Sequence, residues 1–522
     1  MPVIPPEPGE LAAIARLYGL QLSDADLAGF AVLASRALRS YDEVERLYEA
    51  RRPAPPDREW RWPSEGENEL GAWYVRTEIT GAAVSGASGR PLAGRTVAIK
   101  DNIPVAGVPM MNGSATLQGF VPRRDATVVT RLLAAGATIT GKAVCEDLCL
   151  SGGSHTSRTG PVRNPWDRTR TAGGSSSGSA ALVASGGADL AVGGDQGGSV
   201  RIPSSFCGTV GHKPTHGLVP YTGAFPIEST LDHLGPITAT VRDAAVMLGV
   251  LAGPDGLDPR QRALPPQQDY LAGLEAGVRG LRIGVVEEGF AIPGRSQPQV
   301  DEAVRAAVGV LEDQGAQIVP VSVPWHRDGM SVWSVIATEG VLRQMIDGNG
   351  YGTNTPGLYD PELIGHYAAG RRSHGSEMSE PLKLTMLAGR HALEQGGGRY
   401  YAMARNLALE LTAAYDAALD GLAGGHARLD VLVMPTLPMV APPLPGPGAG
   451  RDELLARSVE MTANTAPLDV SGHPATSVMA ALVAGLPAGL MIAGRRFDDA
   501  TCLRVARAYE RAVGGFQRPP AR

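Results

Sequence analysis

Residues 173–217 read GGSSSGSAALVASGGADLAVGGDQGGSVRIPSSFCGTVGHKPTHG and hold 12 glycines in 45 positions. Two Ser-containing, Gly-rich turns bracket an expected helix over 179–185 and an expected strand over 190–192. Gly-rich turns that open helices bind phosphate through exposed backbone N–H groups. Neither phosphate template fits here: there is no G-x-x-x-x-G-K-[ST], and no G-x-G-x-x-G between a strand and a helix. The other use of such donors is to stabilise an oxyanion, which requires a nucleophile beside them. Ser199 directly follows Gly197 and Gly198.

A serine hydroxyl is a weak nucleophile at its own pKa and needs a base. His212 and His216 stand in the same segment, each without an evident carboxylate to orient it. A neutral lysine is the alternative base in serine hydrolases. Lys100 ends the apolar run 96–99, and strand alternation turns the adjacent Asp101 to the opposite face. Both kinds of base remain open on these residues alone.

Composition narrows the setting. The chain has 522 residues, 43% hydrophobic and 19% charged, which is enough apolar material for a large core. A net charge of −6 gives no footprint for nucleic acid or an anionic membrane, and 5% aromatic residues leave few stacking platforms. Prolines and acids occupy the start where a secretory signal needs basic and apolar runs, so the expected compartment is the cytoplasm. Cys145, Cys149, Cys207 and Cys502 are too few for a disulfide framework and read as small buried hydrophobes; Cys145 and Cys149, four apart, can share a helix face. No His or Cys stands at a spacing that would complete a metal site, and no metal or organic cofactor is expected.

The elements that must carry these residues alternate between short β runs and helical runs, the pattern of an α/β protein. Strands are expected at 96–99, 137–140, 281–286 and 430–434, and helices at 125–135, 300–314 and 500–513. Residues 1–65 read as an N-terminal helical cap, with Ser23 as helix N-cap and a Pro-rich segment over 52–63; residues 66–522 read as one catalytic domain.

The stretch 173–204 resembles the full signature of the amidase signature family: paired Gly, a Ser run, a small-residue helix, then G-x-D-x-G-G-S-[hydrophobic]-R-x-P. Val97–Asn102, Asn164-Pro165-Trp166, Gly211–Thr215, Asp232–Pro236 and the segments 431–438 and 472–489 are similar to the family as well, over roughly residues 70–515. The helical cap and Gly194-Asp195-Gln196 are most similar to bacterial enantioselective amidases of the nitrile-hydratase-associated type.

The resemblance implies a mixed, twisted β-sheet sandwiched between α-helices. It also implies a Ser–cis-Ser–Lys triad of Ser199, Ser175 and Lys100, with a cis peptide before Ser175. An oxyanion hole at Gln196, Gly197 and Gly198 follows, supported structurally by Ser176, Asp195 and Arg201. Cys149, Ser151, Gly152, Gln196, Trp333 and Ile336 are the substrate-binding candidates. The implied reaction is hydrolysis of small neutral aliphatic or aryl amides through an acyl-enzyme, with anilides, esters and carbamates (urethanes) within reach of the same chemistry. The implied partners are such a substrate and water, with a homodimer through the N-terminal helices. Two rivals share features: the amidase component of a tRNA-dependent amidotransferase, and a nitrilase-type cysteine hydrolase built on Lys142, Cys145 and Glu146.

Overall fold

In the computed structural model, which describes residues 3–81, 89–261, 268–422, 425 and 427–520, the chain divides into two compact units, Met1–Pro56 and Asp57–Arg522. The first consists of helices α1 (Pro8–Leu17) and α2 (Asp24–Glu49). Ser23 caps α2 by accepting from the Asp26 N–H while Asp26 accepts from the Ser23 N–H, so two orphan donors are satisfied reciprocally.

The second unit is built on one mixed sheet. Its twelve strands are β1 (Trp60–Arg61), β2 (Trp73–Thr80), β3 (Thr96–Lys100), β4 (Thr138–Ala143), β5 (Leu190–Asp195), β6 (Val210–Lys213), β7 (His233–Thr238), β8 (Arg282–Val286), β9 (Gln317–Val321), β10 (Val431–Pro435), β11 (Ala475–Val483) and β12 (Leu486–Gly494). They run in the order β1-β2-β4-β3-β5-β7-β6-β11-β12-β10-β8-β9. β3 pairs in parallel with β4 and β5, and β8 with β9 and β10, while the other pairs are antiparallel. Strands β5, β7, β10 and β12 are buried at every position, as expected of a sheet covered on both faces.

Helices flank the sheet: α3 (Thr127–Ala134), α4 (Ser177–Ser185), α5 (Arg201–Cys207), α6 (Val241–Leu251), α7 (Pro298–Asp313) and α8 (Trp325–Val341), followed by further helices to Asp499–Ala512. The expected strand at 190–192 continues through Gly193 and Gly194 to Asp195, which carries the second Gly-rich turn to the end of the sheet. The expected helix at 179–185 starts two residues earlier, at Ser177. Cys145 and Cys149 do not share a helix face, because Leu148 and Cys149 take positive φ values of 46° and 62° and break the helical path. No helix of the described residues is long and apolar enough to cross a membrane.

Candidate active site

Strand β3 ends on Lys100, and the register of the parallel pair sets what surrounds it. Ile99 lies opposite Lys142 and Lys100 opposite Ala143 across β3 and β4, so successive side chains alternate between the two faces. Asp101 therefore falls on the Lys142 side, where its Oδ1 accepts from Lys142 Nζ at 2.9 Å. On the other face the fully buried Lys100 Nζ donates to Ser175 Oγ at 2.8 Å and to the Gly194 carbonyl at 3.2 Å. The Gly174–Ser175 peptide is cis, as the resemblance implied.

The two Gly-rich turns are tied together by backbone. Ser176 N–H donates to the Ser199 carbonyl at 3.3 Å, and Ser176 Oγ donates to the Gly194 carbonyl at 3.1 Å. Among the described residues no hydrogen bond joins the Ser175 and Ser199 hydroxyls; Ser199 stands at the wall of a cavity of about 410 Å³.

The turn before Ser199 is held from several sides. Asp195 accepts from the Gly198 N–H at 2.6 Å and the Val200 N–H at 3.0 Å. Arg201 Nε reaches Asp195 at 3.0 Å, and Arg201 Nη2 reaches Asp469 at 2.7 Å. Burial pushes the Asp195 carboxyl up, but the adjacent Arg201 guanidinium more than offsets this and holds it at about 2. Trp333 Nε1 donates to the Gln196 carbonyl and Thr465 Oγ1 to the Gly197 carbonyl, both at 2.7 Å. Fixing the carbonyls fixes the peptide planes and so the directions of the neighbouring N–H groups.

The assignment of Gly198 as an oxyanion donor needs correction, because its only N–H is taken up by Asp195. The N–H groups of Gln196, Gly197 and Ser199 have no hydrogen-bond partner among the described residues. Gly198 contributes conformation instead: its φ is +128°, and a Cβ there would stand 2.7 Å from Ile202 Cδ1. A Cβ on Gly197 would stand 2.6 Å from Trp333 Cζ2.

Cys149, Ser151, Gly152, Gln196 and Trp333 all line the cavity with Ser199. Ile336 does not. On α8 the residues Trp333, Ser334, Ala337, Thr338 and Val341 face the cavity, whereas Ile336 points from the other side of the helix into the main core and is fully buried. Sequence reasoning missed Ile227, Leu231, Met330, Val341 and Leu384, which make most of the wall apolar. It also missed Glu228, a buried wall residue whose carboxyl burial raises, and which accepts from Thr230 N–H and Tyr401 OH. These residues belong to segments without a local motif.

The histidine bases left open by the sequence lie elsewhere. His212 is bound by Thr476 at 2.8 Å and Asp499 at 3.1 Å, and His216 Nε2 pairs with the Ser229 carbonyl at 3.2 Å; neither lines the cavity. The Lys142, Cys145 and Glu146 cluster is likewise committed: Lys142 to Asp101, Cys145 to Asn112, and Glu146 to the His155 and Thr156 N–H groups. Among the described residues, no group of three His, Cys, Asp or Glu side chains is arranged to hold a metal ion.

The sequence pattern of the family described as Amidase matches residues 76–503. An enantioselective amidase of Rhodococcus rhodochrous is 54% identical over 521 residues, covering 99% of this chain and 97% of that protein. A component of the glutamyl-tRNA(Gln) amidotransferase of Roseiflexus sp. (strain RS-1) is 38% identical over 434 residues, 82% of this chain and 85% of that protein. Among solved structures, the native peptide amidase of Stenotrophomonas maltophilia superposes with a TM-score of 0.68 at 30% identity, covering 83% of this chain and 85% of that one.

Proposed function

The chain belongs to the amidase family and is a hydrolase of amide carbon–nitrogen bonds, and on that premise we propose that it works through Ser199, Ser175 and Lys100 on small, neutral amides. The observation that carries this reading is the buried Lys100–Ser175 hydrogen bond, set beside a serine on the wall of an apolar cavity.

Neutral Lys100 takes the Ser175 proton while Ser175 takes that of Ser199, and Ser199 Oγ attacks the amide carbonyl. The developing negative charge is received by the N–H groups of Gln196, Gly197 and Ser199; one such donor is typically worth ~2.7–4 kcal/mol. Ser175 returns a proton to the nitrogen, because an amide nitrogen leaves poorly without one. Water then cleaves the acyl-enzyme by the same route reversed. Before attack, the Ser199 hydroxyl must swing onto Ser175; catalytic hydrogen bonds often tighten only when substrate is present.

The apolar wall supports an uncharged acyl group, aliphatic or aryl. Anilides, esters and carbamates share the acyl-enzyme route and complete the proposed range. The likeness to the Rhodococcus amidase extends over the N-terminal helices, which supports a free-standing enzyme over an amidotransferase component. Exposed Ile14, Leu17, Phe30, Leu33 and Val44 on those helices support a homodimer contact there, and the low net charge supports an enzyme without nucleic-acid or membrane partners; a cytoplasmic setting is part of the same proposal.

The test is hydrolysis of propionamide, benzamide, an anilide, an aryl carbamate, an ester and glutamine by the purified protein beside Ser199→Ala and Lys100→Ala. Turnover of benzamide by wild type and its equal collapse in both variants is the expected result. Turnover of glutamine alone would move the chain to the amidotransferase reading.

A further inference from the structure

We propose that Cys145 and Cys149 form a modification site: a peroxide entering the amide cavity oxidises Cys149, and Cys145 closes the product into a disulfide that disables the Lys100–Ser175 pair. The geometry is a convergence of two thiols on one acceptor. Cys145 Sγ lies 3.3 Å and Cys149 Sγ 3.2 Å from the same Asn112 Oδ1, which bounds the distance between the sulfurs. The backbone between them is left-handed at Leu148 and Cys149, so the two thiols meet at Asn112 without a shared helix. Cys149 lines the cavity beside Ser199, so a small oxidant reaches it by the substrate's path, while Cys145 lies fully buried behind it.

The chemistry of the two thiols differs. Burial pushes the Cys149 thiol up, but the groups around it, the Cys145 hydrogen bond first, more than offset this and bring it below the usual thiol range. Burial, with the Cys149 thiolate beside it, drives Cys145 well above the usual range. The thiolate is the reactive form, so Cys149 is the attacking sulfur and Cys145 the resolving one. Cys207 and Cys502 provide the contrast: each points at a backbone carbonyl, of Ala172 and Pro474, and burial holds each thiol high.

In the first step the Cys149 thiolate attacks one peroxide oxygen. An S–O bond forms, the O–O bond breaks, and the leaving hydroxide takes a proton to become water. Cys149 is now a sulfenic acid. The Cys145 sulfur then attacks the Cys149 sulfur; the S–S bond forms, the S–O bond breaks, and hydroxide leaves with the Cys145 proton as a second water. Two thiols are oxidised and one hydrogen peroxide is reduced to two waters. The disulfide removes a hydrogen-bonding sulfur from beside Ser175 and Lys100 and pulls the cavity wall inward toward Asn112.

The loss of activity rests on the role given above to Lys100 and Ser175; the cross-link does not, and the two are read separately. The full-length protein is treated with a modest excess of hydrogen peroxide, assayed for amide turnover and digested without reduction for mass spectrometry. We expect turnover to fall at least about tenfold and to return with dithiothreitol, with a Cys145–Cys149 linked peptide two hydrogens lighter than the reduced form. A saturating amide should protect. Cys145→Ala should keep its basal turnover, lose it to peroxide more slowly than wild type, and fail to recover, because an unresolved sulfenic acid proceeds to sulfinic acid. Cys207→Ala should behave as wild type. Inactivation without the linked peptide, or equal recovery of Cys145→Ala, overturns the site. A complete cross-link with full turnover retained overturns its effect on the Lys100–Ser175 pair and leaves amide hydrolysis itself untouched.

Discussion

Lys100 and Lys142 sit on adjacent parallel strands, both with fully buried side chains, and meet opposite surroundings. Lys142 faces the Asp101 carboxylate at 2.9 Å, a closed ion pair. Lys100 faces a hydroxyl at 2.8 Å and a carbonyl at 3.2 Å, and no carboxylate bonds to it among the described residues. A carboxylate at that distance would lock the amine in its charged form, whereas a hydroxyl leaves its proton available for exchange. Burial alone does not make a basic lysine. What matters is which partner the sheet register delivers.

The largest expected effect tests Lys100. Lys100→Met should lower kcat by at least about 10⁴-fold with the thermal melt shifted little, and the Lys100→Met/Ser199→Ala double variant should be hardly worse than either single one, since members of one catalytic unit are strongly non-additive. Lys142→Met reverses the pattern. It leaves Asp101 buried and unpaired, and chemical denaturation should show a loss of ~3–5 kcal/mol, with the folded fraction still turning over. Adding Asp101→Asn to Lys142→Met should recover part of that loss. If Lys142→Met abolished kcat without destabilising, the contrast between the two lysines would be wrong.

A smaller effect is expected from Trp333→Phe. It removes the N–H that holds the Gln196 carbonyl while keeping a large ring in the cavity wall, so kcat/KM should fall by the equivalent of about 1–2 kcal/mol with binding of a neutral acyl group little changed.

The smallest concerns pH. Asp195 has a folded pKa of about 2 against an ordinary value of 3.8, so on acidification the unfolded chain takes up the proton first. Its contribution is present above about 4 and lost as pH falls toward about 2. Asp101 is shifted the other way, because its burial outweighs Lys142, so its contribution grows as pH falls toward about 4 and is complete before the Asp195 loss sets in. The thermal midpoint of Asp195→Asn should fall less steeply than that of wild type across this window.

Much of the fold was legible. The strands at β3, β8 and β10 and the helices α3 and α7 lie within two or three residues of their expected positions, because apolar runs and breakers are local signals. The cis bond before Ser175 and the cavity positions of Cys149, Ser151, Gly152, Gln196 and Trp333 follow the family resemblance. Ile336 and the Gly198 N–H were placed wrongly for different reasons. Nothing in a helical segment marks which face meets a cavity formed by distant elements. A backbone N–H in a Gly-rich turn reads as free until the Asp195 side chain, three residues away, folds back onto it.

Residue type and spacing set Ser199 behind two glycines and Lys100 at the end of an apolar run, and the family resemblance singled out Ser175 in the earlier turn. These rest on covalent neighbourhood, where residue type and spacing fix what the backbone can do. Only the tertiary structure decided the partners. Sheet register sent Asp101 to Lys142, long-range packing brought Asp469 and Thr465 to the turn before Ser199, and Cys145 and Cys149 met at Asn112. The physical reason is range: hydrogen bonds act over about 3 Å, and which groups come that close, tens or hundreds of residues apart in the chain, is settled only when the sheet is assembled.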